Sequence, residues 1–158
     1  MADATFEDGA EGGLNLKAYE GEDLQVIATL SQDAVLTAAD MTWRPKERRL
    51  AFLINRFRWE DAPRAEARGR PYERVRSLLV IDGVMRVASQ GVDRGDGDEV
   101  LSLLSVDWTP GEDGAGAVTL VLAGDGAIRA DVECLDVTLK DVTRPYAAPS
   151  RHMPKHPE

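Results

Sequence analysis

Apolar residues change their period along the chain, and the changes mark out the elements. Leu24, Ile27, Ala28 and Leu30 recur at helical spacing behind Glu20, Glu22 and Asp23, which predicts one helix over 21–32. Before it, Leu14, Leu16 and Ala18 alternate as a short strand. After Asp33 the period is two. Residues 34–44 read as one strand or two short ones, Pro45–Arg48 as a turn, and 49–59 as a long strand. That strand carries Leu50, Phe52, Ile54, Arg56 and Arg58 on one face and Ala51, Leu53, Phe57 and Trp59 on the other. Apolar residues on both faces predict a central strand, or one covered on both sides.

Residues 60–71 are charged, contain Pro63 and Pro71, and read as a long loop. Further on, Asp82-Gly83 and Gly124-Asp125-Gly126 each sit between alternating runs, at 73–81/84–91 and 117–123/127–134, which predicts two hairpins. A strand over 100–109 lies between them. The alternation after Ile128 shifts phase at Cys134, so a bulge is expected there. Together these predict an α+β domain, mainly antiparallel β: a meander of seven or eight strands with one N-terminal helix. It would form an open barrel, with a pleckstrin-homology-like barrel as one candidate, or two packed sheets. The expected organisation is an acidic disordered arm over 1–13, one domain over 14–143, and an extended proline-rich tail over 144–158.

Composition narrows the setting. The chain has 158 residues, enough for one domain with its own core, and no apolar run approaches a membrane span. The start is acidic and small rather than basic and apolar, unlike a secretory signal. The lone Cys134 cannot form an internal disulfide and reads as a small buried hydrophobe. A cytoplasmic protein is expected.

Charge is distributed unevenly. The net charge is −9, yet residues 44–76 hold eleven arginines and lysines against five acids, a local +6. Residues 92–141 hold twelve acids against three basic residues, a local −9. The total argues against DNA as a partner.

Candidate chemistry is sparse. The only histidines, His152 and His156, fall in the tail around Pro154, so the residues for triad or dyad catalysis are missing. Asp93, Asp96, Asp98 and Glu99 crowd one loop, but their spacing is not that of a calcium loop. The glycines at 111–116 and 124–126 precede strands, so they read as turns rather than phosphate loops. Asp131 and Glu133 read as the wet side of a strand. No metal and no cofactor is expected.

The segments SQDAV (31–35), WRPKERRLAF (43–52), NRFRWE (55–60), GAIRADVECLDVTLKDV (126–142) and RHMPKHP (151–157) resemble a bacterial family of unknown function. The resemblance spans about 14–157. It implies a self-contained domain and carries over no activity and no site residue.

The basic region supplies the functional expectation. If strands 49–59 and 73–81 pair antiparallel, Arg56, Arg58, Arg74 and Arg76 converge near the intervening loop, with Trp59 and Tyr72 beside them. Guanidinium forks bind carboxylate or phosphate, and aromatic rings offer stacking surface. The leading reading is a non-enzymatic interaction module that engages an acidic partner, a protein or a second copy, through region 44–76. The alternatives are an enzyme or binding protein for an anionic small molecule held by the same arginines, and, more weakly, RNA binding. A plainer reading has these charges pair with the domain's own acidic half, or with a neighbouring subunit.

Overall fold

The computed structural model describes residues 13–93, 95–149 and 153–154. The expected arm falls outside them except for Gly13, as do His152 and His156. Among the described residues the elements, in chain order, are β1 (Asn15–Ala18), α1 (Gly21–Leu30), β2 (Val35–Thr37), β3 (Met41–Arg44), β4 (Arg49–Phe57), α2 (Ala62–Ala67), β5 (Glu73–Ile81) and β6 (Val84–Gln90). Then follow β7 (Val100–Pro110), β8 (Gly116–Leu122), β9 (Ala127–Val132), β10 (Val137–Asp141) and β11 (Tyr146–Ala147).

The expected fold class holds: an α+β chain, mostly antiparallel sheet, in one sheet that does not close. The helix forms as its period requires. Leu24, Ile27 and Ala28 are buried, and Glu22 and Asp23 sit in the first turn, where the helix dipole favours them. The strand order is β1-β10-β5-β4-β2-β7-β8-β9-β6, with β3 also on β4 and β11 also on β5. Only β7-β8-β9 is a meander in that order, so most pairing is non-local. Among the described residues the strands number eleven rather than seven or eight, because the 34–44 segment gives both β2 and β3, the predicted strand after Ile128 divides into β9 and β10, and the tail adds β11. Both helices precede β5, so the C-terminal helix that completes a pleckstrin-homology barrel has no counterpart among the described residues.

Two corners fold the sheet so that its halves share one core. At the first, Val35 of β2 pairs with both Asn55 of β4 and Ser102 of β7. The second lies where a hairpin was expected. Asp82-Gly83 does not reverse the chain, since β5 pairs with β10 and β4 whereas β6 pairs with β9. Backbone bonds Asp82 N–Asp136 O (2.9 Å) and Glu133 N–Gly83 O (3.0 Å) carry the ladder through the bend. Ile81 faces Val137 and Val84 faces Val132, so two residues on one strand oppose four on the other. The phase shift at Cys134 therefore marks a wide bulge, and its extra length turns the strand pair from one half of the sheet to the other. Cys134 is exposed on this bulge and is not the buried hydrophobe expected. Gly124 (φ 81°) and Asp125 (φ 67°) do form the expected β8–β9 turn, both with the positive φ of a type I′ geometry.

The 60–71 segment was expected to be loop throughout. It holds α2, with Ala62 and Ala65 buried. Pro63 stands in the first turn, where a missing N–H breaks no helix bond, so it starts this helix rather than preventing it.

Gly83 sits at φ 71°, and a Cβ there would meet Glu133 Cγ at 3.4 Å. Gly83→Ala is expected to cost about 1–2 kcal/mol, the penalty of a left-handed L-residue. Urea unfolding against a Gly124→Ala control checks this. Gly124 is also at positive φ with no atom within 4 Å of a Cβ, so Gly124→Ala should lose a similar amount, and a Gly83→Ala loss well below it would contradict the assignment.

Candidate functional site

The period-two alternation of β4 places Leu50, Phe52, Ile54 and Arg56 on one face, and that face points into the core. Arg56 is the largest fully buried side chain, so its charge must be met by protein atoms. Its guanidinium forks onto Glu60, with Nη1–Oε1 and Nη2–Oε2 both 2.9 Å. It also donates from Nη2 to Asp141 Oδ1 at 3.0 Å and from Nε to Ser77 Oγ at 3.1 Å. Ser77 Oγ donates to Asp141 Oδ1 at 2.7 Å, and Leu14 N donates to Asp141 Oδ2 at 2.9 Å. Glu60 and Asp141 are 5% and 3% exposed, so these are charges in a dry setting.

Beside this knot, Arg58 pairs with Glu73, and Arg70 forks onto Asp61 at 2.7 Å through both Nη atoms. Burial works against the charged Glu60, yet the bonded Arg56 guanidinium outweighs it and holds the carboxyl below the usual carboxylate range. The Arg70 hydrogen bond does the same for Asp61. The knot is thus self-contained: one end of the sheet is tied by ionic bonds among β4, β5, β10, the 58–72 segment and the start of β1.

The other face of the same strands points outward, and its residues line up in rows across the register. Lys17, Thr138, Val80, Ala51 and Thr42 form one row over β1, β10, β5, β4 and β3. Asn15, Lys140, Leu78 and Leu53 form the next, and Arg76 and Asn55 the one beyond. Arg49 and Arg44 pair at the opposite end, beside Asp82. These strands bound an open groove of ≈ 580 Å³, its floor made of Ala51, Leu78 and Val80, with Leu53, Asn55 and Arg76 beyond it on the same face. Lys17, Arg44, Arg49, Arg76 and Lys140 are exposed around this face, against the carboxylates Glu47 and Asp82. Arg49 bonds Asp82 at 2.8 Å, and Arg44 approaches Glu47 at 3.6 Å. Lys140 and the Arg76 side chain have no partner among the described residues, and Lys17 only faces the Tyr19 ring at 5.9 Å.

The four arginines expected to converge are therefore split between two faces. The register pairs Arg56 with Val75 and Asn55 with Arg76, which sends Arg56 and Arg58 inward to the ionic knot and Arg74 and Arg76 outward. Of the inner two, only Arg56 reaches the acidic half, through Asp141; the other carboxylates that meet Arg56 and Arg58, namely Glu60, Asp61 and Glu73, belong to the basic segment itself. Trp59 and Tyr72 pack on Phe57, at ring-centroid distances of 4.7 and 5.4 Å. Trp59 also donates to Gln32 O, and Tyr72 to Glu66. Asp131 bonds Arg86 and Arg129 on the wet side of β9, and Glu133 bonds Arg48. In the acidic loop, Asp93 and Asp96 accept from the Gly95 and Asp98 N–H groups. Among the described residues no group of three or more His, Cys, Asp or Glu is placed to hold a metal ion.

Lys17 and Lys140 escape sequence reasoning. The alternation Val137, Thr138, Leu139, Lys140 marks Lys140 as outward, but nothing local places β10 between β1 and β5.

Removing one member of a buried, bonded charge pair strands the other, at a typical cost of about 3–5 kcal/mol. Asp141→Ala is expected to lose that much in urea unfolding, whereas a loss below about 1 kcal/mol would show Arg56 neutralised another way. The lowered carboxyl values of Glu60 and Asp61 carry a sign. Their stabilisation is full above the unfolded carboxylate range near ~4 and disappears as pH falls through the lower folded values. Thermal unfolding followed from pH 6 downward should show a steep loss below about pH 4, shallower in Glu60→Gln. Equal slopes in the two proteins would contradict the assignment.

Neither a curated protein nor a solved structure matches the chain. One family does, over residues 14–156, and its span takes in β1 at one end of the sheet, the ionic knot and every cation of the outer face. The chain belongs to the DUF2948 family, described as proteins of unknown function.

Proposed function

We propose that the domain is a protein-interaction module whose outer sheet face holds an acidic segment of a partner protein. The observation that carries this is the face itself: Lys17, Arg44, Arg49 and Lys140 around an aliphatic floor, with Arg76 further along the same face, in a chain of net charge −9. A positive patch on a negative molecule draws acidic partners in the correct orientation and repels others. Solvated aliphatic floor of this kind is surface that a partner's apolar side chains can cover.

The shape favours a chain segment over a small molecule. Ligand pockets enclose most of their ligand, whereas this groove is open across five strands. The floor also favours peptide over RNA, because single-stranded bases stack on aromatic rings and the floor is Ala51, Leu78 and Val80. Of the arginines singled out in the sequence, Arg74 and Arg76 belong to this face, and Arg56 and Arg58 act within the fold. We place the module in a bacterial cytoplasm, after the resemblance and because a lone exposed thiol such as Cys134 stays reduced there. No helix among the described residues is long and apolar enough to cross a membrane.

The test uses a fluorescent octapeptide of alternating Glu and Leu, read by anisotropy. Saturable binding that weakens with added salt is expected. The triple variant Lys17→Glu/Arg76→Glu/Lys140→Glu should bind at least about tenfold more weakly, since three exposed pairs of a few tenths of a kcal/mol each are lost and reversed. Its melting temperature should stay close to that of the wild type. No saturable binding, or equal binding by the variant, would overturn the reading. The same pair of proteins, compared by sedimentation, tells whether the acidic partner is a second copy.

A further inference from the structure

Four arginines among the described residues are buried or half-buried: Arg56, Arg58, Arg70 and Arg74. The first three each have a carboxylate within salt-bridge distance. Arg74 has none. Its Nε donates to Asn55 Oδ1 at 2.7 Å and its Nη2 to Asn55 O at 2.9 Å, both neutral acceptors on β4. Desolvation lowers its pKa, opposed only through space by Tyr146 and Asp33, whereas Arg56 and Arg70 are raised by their bonded acids. A guanidinium taken partly out of water with anions acting on it only through space gains more from a well-placed carboxylate than a solvated lysine does.

The surroundings are built to present it. Asn55 holds one edge of the guanidinium, while Nη1 makes no hydrogen bond among the described residues and is not among the buried unpartnered atoms. Tyr146 of β11 lies opposite Arg74 in the register. Its Oη accepts from Asn55 Nδ2 at 2.6 Å, which leaves the phenolic proton to donate outward. Arg76, two residues along the same face of β5, is exposed and has no side-chain partner among the described residues.

We propose that Arg74, with the Tyr146 hydroxyl beside it, is the anchor of the outer face, where a partner's carboxylate docks on the free guanidinium edge. This rests on the interaction-module reading and sharpens it. The lysines and Arg76 attract the partner and are screened by salt; Arg74 fixes its position and is screened less.

Two measurements on the full chain separate the claims. In the first, the Glu-Leu octapeptide is titrated into wild type, Arg74→Lys, Tyr146→Phe and Lys140→Gln at low and physiological salt. Arg74→Lys keeps the charge and loses the fork, so about tenfold weaker binding is expected at both salt concentrations. Tyr146→Phe should weaken binding about threefold. The Lys140→Gln effect should shrink towards nothing as salt rises. Wild-type binding with Arg74→Lys unchanged would sink the anchor and leave the face standing. In the second, inorganic phosphate is titrated at constant ionic strength while the arginine Nε–H resonances are followed by NMR. A saturating shift at Arg74, with its midpoint moved to about threefold higher phosphate in Tyr146→Phe, supports the anchor even if the octapeptide fails and the wider reading with it. Absence of that shift in the wild type overturns the anchor. The backbone amide spectrum of each variant confirms that it is folded.

Discussion

A guanidinium with no access to water lies at the end of β4, and much of the molecule is arranged around it. Arg56 follows Leu50, Phe52 and Ile54 on the inward face, so the alternation that builds the core also buries a charge. Neutralising it requires carboxylates from elsewhere in the chain: Glu60 four residues on and Asp141 from β10. Asp141 also receives the Leu14 N–H, so the start of β1 is held by the same group. One buried charge thereby ties the 58–72 segment, the last long strand and the first strand to the central pair β4–β5.

That arrangement also decides which charges remain for a partner. The inward arginines spend their bonds on the domain's own acids; on the reverse side Arg49 and Arg44 still meet Asp82 and Glu47, whereas Lys17, Arg76 and Lys140 have no carboxylate partner among the described residues. Register does the rest. Because β1, β10, β5, β4 and β3 are paired antiparallel without a slip, Lys17, Lys140, Arg76, Arg49 and Arg44 fall on one face over an aliphatic floor. A one-residue slip at any of these pairings would turn that strand's cations inward. The ionic knot and the outer cationic face are two sides of one sheet, and the corner at Gly83 and Cys134 keeps that sheet folded over its core.

How far the sequence shows all this depends on the range of the interaction. The helix, the two faces of β4 and the Gly124-Asp125 turn are local and legible. Asp82-Gly83 carries the local signature of a hairpin, but β6 finds its partner in β9, and pairing decided the geometry over turn propensity. The phase shift at Cys134 was visible, although its role as a corner was not. Arg56 and Arg58 share a face with Leu50 and Ile54, and that period already pointed inward; charge alone suggested that they leave the core. Glu60 is close enough in sequence to suggest a partner for Arg56, but Asp141 is eighty-five residues from Arg56 and no local pattern joins them. The outer face was the least legible part, since Lys17 and Lys140 reach it only through a strand order that local patterns do not set.

The central claim is that the outward face binds and the inward arginines do not. Amide chemical-shift mapping with the Glu-Leu octapeptide tests it most directly. The account predicts perturbations over β1, β10, the 74–80 stretch of β5 and the 49–55 stretch of β4, with the Arg56 and Arg58 Nε–H signals unmoved. Shifts centred on Arg56, Arg58 and Glu60, with Lys17, Arg76 and Lys140 silent, would contradict it.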